Sequence, residues 1–224
     1  MKKIKYPDSD LMAMDLADLL AAELNAILNT KERVSFVVPG GTTPGPIFDI
    51  LSAVPIEWER INILLTDERW VPEDDERSNT RLVREHLLVD KAAAATFLPL
   101  YKPADRPEDV LPDLAAQIAP LLPVDVVMLG MGEDMHTASL FPGGDRLAEA
   151  FEDDAPILLP MRAPGLEEPR ITLTAPVISG AMSRHIVFRG KAKNKALKKA
   201  IKINDPLQAP ISAFVKDATV HWMP

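Results

Sequence analysis

Residues 130–144 read GMGEDMHTASLFPGG and set Asp134 two residues before His136, in a glycine-flanked turn behind a strongly apolar run. A neutral imidazole can take a proton near pH 7, and a nearby carboxylate can hold its tautomer. The pair has the makings of a general base and its orienting partner. The chain has four histidines. His86 sits in a charged helical run and reads as exposed, while His185 and His221 fall in strand-like segments and read as satisfied structural groups. Only His136 has the setting of a catalytic group.

Two further segments could hold an anion. PGGTTPG (39–45) offers Gly40, Gly41, Thr42 and Thr43 just before a helix start, and backbone N–H groups at such a start bind phosphate well. The loop lacks a Walker lysine and a dinucleotide glycine fingerprint, which disfavours ATP and NAD. Taken alone it is also an ordinary helix cap. TDERWVPEDDERSN (66–79) sets Arg69 beside Asp67 and Glu68. A guanidinium held between two carboxylates suits bidentate recognition of phosphate or carboxylate; a solvated turn with an ion pair is the alternative. Asp74, Asp75 and Glu76 read as surface, and Ser78 as the cap of the next helix.

Other chemistries find less support. A lone histidine with scattered carboxylates has no metal-ligand spacing. No GxSxG elbow is present, and Ser139 shows no partner. The absence of cysteine excludes disulfides and thiolate metal sites.

The elements that must position these groups follow from periodicity. Residues 10–28 carry leucines at helical spacing. VSFVV (34–38), INILL (61–65) and VDVVMLG (124–130) are apolar runs of the kind found in strands buried on both faces. Helix-like stretches follow at 43–51, 78–88 and 107–122, with short strands expected at 97–100, 155–160, 170–174, 184–190 and 218–223. Residues 211–215 read as a helical turn or a strand. Alternation of strands and helices predicts an α/β fold: one domain over 1–224, with a mainly parallel sheet flanked by helices on both faces. Ligands of such sheets sit at the carboxyl ends of strands. The three chemical loops therefore meet if their strands are neighbours.

Net charge is −8, which argues against broad nucleic-acid binding. The one basic island, RGKAKNKALKKAIK (189–202), is either an anion site or a solvated helix face. Acidic residues interrupt the N-terminus, and no apolar run approaches the roughly 20 residues of a spanning helix. A cytoplasmic protein without membrane contact is expected.

Several motifs, in order, resemble the 6-phosphogluconolactonase family. They are Gly40–Pro44, Asp67–Pro72 with Ser78 and Asn79, Leu129–Gly143, Arg170–Thr174, Gly190 with Lys193, and Pro210–Ser212. The resemblance implies a single-domain, modified Rossmann-like fold shared with glucosamine-6-phosphate deaminase. It implies hydrolysis of 6-phospho-D-glucono-1,5-lactone to 6-phosphogluconate, without metal or cofactor, in the oxidative pentose phosphate pathway. The sole partner expected is that phosphorylated sugar lactone; oligomeric state is left open. By resemblance His136 is the general base and Asp134 orients it. Gly41, Thr42, Thr43, Arg69 and Lys193 hold the phosphate, with Arg162 as a further anion contact.

One position departs from the family. Glycine usually separates the Asp and the His, and here Met135 stands between them; if positive φ is needed there, methionine costs about 1 kcal/mol. Two rivals follow. The deaminase carries an Asn-Glu-Pro segment after the His stretch, where this chain has Ser139, Leu140, Phe141 and Pro142. A sugar-phosphate sensor would keep the anion loops and lose the base.

Overall fold

Strands without polar alternation must be covered on both faces, and the computed structural model, which describes residues 1–224, shows that arrangement. Strands β2 (Val34–Val38), β3 (Ile61–Leu65) and β6 (Val126–Leu129) are buried at every position. They join β1 (Lys2–Lys5), β5 (Thr96–Leu98), β9 (Ser183–Arg189) and β10 (Thr219–Met223) in a seven-stranded sheet, ordered β1-β10-β9-β6-β2-β3-β5. Every pairing in it is parallel.

Parallel neighbours need crossovers long enough to return the chain, and helices supply them. The helices are α1 (Ser9–Leu28), α2 (Gly45–Ser52), α3 (Asn79–His86), α4 (Leu111–Ile118), α5 (Leu147–Ala150), α6 (Ala175–Ser179) and α7 (Lys191–Ile203). Asp8 caps α1 by accepting from the Leu11 N–H at 2.8 Å. Leu16, Leu20 and Leu24, spaced four apart, bury one stripe of that helix completely. One hydrophobic cluster of 57 buried residues runs through the sheet and its helices.

The structure corrects the expected elements in three places and decides between alternatives in one. Asp67–Arg69 is not loop but strand β4, which pairs antiparallel with β8 (Arg170–Leu173), and β8 pairs antiparallel with β7 (Leu158–Met161). These form a separate three-stranded sheet. The link between β7 and β8 covers only residues 162–169, too short for the crossover that parallel pairing requires. The helix expected over 107–122 is shorter: α4 is flanked by 3₁₀ turns at Pro107–Asp109 and Ala119–Leu121, consistent with Pro112 and Pro120 each lacking an N–H. Of the two forms expected for 211–215, the structure shows the helical one, a 3₁₀ turn over Pro210–Phe214. The charged segment Lys2–Lys5 is an edge strand, which its lack of apolar alternation had hidden.

Candidate active site

In the large sheet β6, β2 and β3 are consecutive, so their parallel carboxyl ends open on the same edge. The loops that follow them line one cleft. It contains Gly40, Gly41, Thr42, Thr43, Asp67, Arg69, Asn79, Gly132 and His136, with Lys193 added from the first turn of α7. Thus the expected Gly41, Thr42, Thr43, Arg69, Lys193 and His136 come together, and Asp134 stands directly behind His136.

The Asp134 carboxylate can only accept, so the His136 ring donates its Nδ1–H to Asp134 Oδ1, at 2.6 Å. That leaves Nε2 as the basic nitrogen. The His136 backbone N–H also donates to Asp134 Oδ1, at 3.2 Å. Burial alone would raise the Asp134 pKa, but the His136 ring and this backbone donor outweigh it and hold the carboxyl below its usual range. Phe141 stacks at a tilt against the imidazole, centroids 4.4 Å apart.

The turn carrying this pair is tight. Gly132 N–H donates to His136 O at 3.0 Å, and Met135 N–H donates to Gly132 O at 3.2 Å. A Cβ on Gly132 would lie 2.3 Å from both Asp134 Oδ1 and His136 Nδ1, so only glycine fits under the pair. Met135 adopts φ +73°, the left-handed conformation that glycine takes without penalty. Its side chain is buried in the core cluster, and its carbonyl accepts from Ile211 N–H at 3.1 Å. Packing thus holds the residue where its backbone is strained.

The anion loop is similarly supported. Gly41 has φ +87°, and α2 begins at Gly45 with no side-chain cap. The amides of that start are therefore not taken by a protein side chain. Arg189, at the end of β9, donates to Thr42 O at 3.1 Å and steadies the loop.

The small sheet brings Arg69 to the cleft, though not between two carboxylates as expected. Arg69 donates to the Arg77 carbonyl and makes no ion pair with Asp67 or Glu68. Glu68 is fully buried and turns to the start of α3, where it accepts from the N–H groups of Asn79 (2.8 Å) and Thr80 (2.7 Å), from Ser78 Oγ (3.2 Å) and from its neighbour Arg69 N–H (2.8 Å). Burial pushes its pKa up, and the backbone donors offset part of that. Asp67 accepts from Thr66 Oγ1 at 2.7 Å and from Ser139 Oγ at 2.6 Å. Ser139, which had no evident partner, is a buried latch between the His136 loop and β4.

Arg162 does not enter the cleft. It pairs with Glu108 at 2.8 Å and lies 3.9 Å from Asp145, which occupies its guanidinium elsewhere. Gly132, Asp67, Asn79 and Ser139 contribute to the site in ways that sequence reasoning, which met them as members of motifs, did not assign. Their roles depend on partners across space.

The fold and cleft define the class first: an α/β protein with an open parallel sheet and a ligand cleft at its carboxyl strand ends. The profile of the family described as glucosamine-6-phosphate isomerases/6-phosphogluconolactonase matches residues 7–222. Accordingly, the chain belongs to the glucosamine-6-phosphate isomerase/6-phosphogluconolactonase family. It is 38% identical to a 6-phosphogluconolactonase of Rhizobium meliloti, over 98% of this chain and 97% of that one. It is 39% identical to one of Pseudomonas aeruginosa, over 95% and 90%. A crystal structure of a 6-phosphogluconolactonase from Shewanella baltica superposes with a TM-score of 0.96 at 31% identity, covering 100% of this chain and 98% of the other. No helix is long and apolar enough to cross a membrane.

Proposed function

We propose that the chain is a hydrolase that opens 6-phospho-D-glucono-1,5-lactone to 6-phospho-D-gluconate, the second step of the oxidative pentose phosphate pathway. The observation that carries this reading is the His136–Asp134 pair: Nδ1 is engaged and the ring lines a cleft that also holds Arg69 and Lys193. His136 Nε2 takes a proton from water as its oxygen attacks the lactone carbonyl. The tetrahedral intermediate then collapses, the bond from C1 to the ring oxygen breaks, and the imidazolium returns its proton to that oxygen. Asp134 keeps the ring in the required tautomer and stabilises the imidazolium. Arg69, Lys193 and the Gly41–Thr43 loop hold the phosphate and so fix the carbonyl relative to the water. Backbone N–H groups of the glycine-rich loops are the candidate donors to the oxyanion.

The deaminase reading lacks its acid: Ser139 lies inside the protein on Asp67, and no carboxylate follows His136 in the motif. The sensor reading rested on Met135, yet the histidine and aspartate remain bonded despite the strained φ.

The test is hydrolysis of freshly made 6-phosphogluconolactone near pH 7, with the unaided rate subtracted. Acceleration proportional to protein is expected. His136→Ala should lower kcat by roughly 10²–10⁴-fold with KM little changed; a near-normal kcat in that variant rules out the general-base role.

A further inference from the structure

Register partners of an antiparallel pair lie opposite one another, and alternate residues share a face. Asp67 stands opposite Thr172 and Arg69 opposite Arg170, so all four belong to one face of the small sheet. Asp67 and Arg69 line the cleft, and Thr172 Oγ1 accepts from Ser139 N–H at 3.3 Å beside it. Arg170 is therefore on the cleft side of β8, next to Arg69.

Its charge is poorly compensated. The Arg170 side chain is only 12% exposed, and its buried Nε has no hydrogen-bond partner. Its single ion pair is Nη2 to Glu168 at 3.1 Å, and Glu168 is shared with Arg77 at 2.7 Å. Arg69 has no carboxylate partner of its own; its hydrogen bond goes to the Arg77 carbonyl. Two arginines thus stand opposite one another, and the one carboxylate in an ion pair with either of them, Glu168 on Arg170, is divided with Arg77. Burial first, and the Arg69 charge second, press the Arg170 pKa down, and the nearby Asp67, Glu168 and Glu68 carboxylates offset only part of that. A partly buried, like-charged pair is costly unless an anion completes it.

We infer that Arg170 is a positioning residue of the phosphate site, acting through Arg69. Its fixed charge prevents the Arg69 guanidinium from folding back onto the small sheet and keeps it toward the cleft, so that the pair receives a doubly charged phosphate. The inference rests on the reading that the cleft takes a phosphorylated substrate, and deepens it by naming what sets affinity for that group.

The experiment uses the full chain with Arg170→Met, Arg170→Lys, Arg69→Met and the Arg69→Met/Arg170→Met double variant. Binding of inorganic phosphate and of 6-phosphogluconate is measured by calorimetry. Kinetics are followed on the phosphorylated lactone and on unphosphorylated gluconolactone. Arg170→Met should weaken both bound anions and raise KM for the phosphorylated lactone by about tenfold, a loss typical of one charge partner. kcat should stay within about threefold, and kcat/KM on the unphosphorylated lactone should not change. Arg170→Lys should recover most of the affinity, and in the Arg69→Met background Arg170→Met should add nothing. Unchanged phosphate affinity in Arg170→Met overturns the inference, as does an equal loss on both lactones with a lowered melting temperature. Phosphate binding without turnover of either lactone by the unaltered protein would sink the hydrolase reading alone, and the binding data would still decide the role of Arg170. Failure of the unaltered protein to bind phosphate overturns both.

Discussion

Met135 and Gly132 act on the same imidazole in opposite ways. Gly132→Ala puts a Cβ 2.3 Å from His136 Nδ1 and Asp134 Oδ1, so the pair must move. Displacement of a catalytic group by about 1 Å costs on the order of 10²-fold. A kcat loss of that size is expected, with phosphate affinity retained, and steady-state kinetics beside a phosphate titration check it. Met135→Gly is a less intuitive case. Glycine would relieve about 1 kcal/mol of positive-φ strain, but it removes a buried thioether side chain that is worth roughly 1.5–3 kcal/mol. The variant should therefore be less stable by about 1 kcal/mol while keeping its activity, as urea unfolding and an activity assay would show. The family's usual glycine is not the stable choice here because the surrounding core has accepted a methionine. The strained φ could be anticipated from the resemblance, since the family usually has glycine between the residues matching Asp134 and His136. The compensating packing could not, since it comes from the tertiary contacts of the core.

Between elements, the two other buried histidines form a bonded chain. Tyr6 OH lies 2.9 Å from His221 Nδ1, His221 Nε2 lies 3.1 Å from His185 Nδ1, and His185 Nε2 lies 2.8 Å from Glu23 Oε2. Donation in one direction, from Tyr6 to Glu23, satisfies every atom and ties α1 to β9 and β10. Burial, then the charges of His185 and Lys2, depress His221 from 6.5 to about 3. Unfolded, it would bind a proton near pH 6.5; folded, it refuses one until about pH 3. The unfolded state therefore gains protons first as the pH falls, and stability should drop between about pH 6.5 and pH 3. Urea unfolding at pH 7 and pH 5.5 measures this, and His221→Gln should flatten the difference. Strand-like surroundings identified both histidines as structural. Their mutual bond was not legible, because residues 185 and 221 become neighbours only through the pairing of β10 with β9.

At the scale of the molecule, the parallel sheet was readable because its central strands are apolar at all but two positions, Ser35 and Asn62, a pattern typical of strands covered on both faces. The meeting of three loops followed from strand order once β6, β2 and β3 proved adjacent. The small sheet was not readable. Asp67–Arg69 is a polar strand of three residues, and β7 and β8 look the same in sequence whether they pair parallel or antiparallel. Its invisibility explains one difference at the site, the placing of Arg69 between the Asp67 and Glu68 carboxylates. Arg69 was placed by its sequence neighbours, whereas pairing across strands decides where it goes; Arg162, expected by resemblance as an anion contact, is held by the Glu108 carboxylate.

Strand β1 ends the large sheet and pairs only with β10, so its outer row of peptide groups is open. Three of its four residues are lysines, all exposed. Charge on a bare edge is a guard against recruitment of another chain's strand, because each addition would bring like charges into register. Lysines 2, 3 and 5 are therefore protection against self-association. Exchanging all three for threonine should leave the fold and turnover intact yet make concentrated protein cloud and form thioflavin-positive material on warming, while the unaltered chain stays clear.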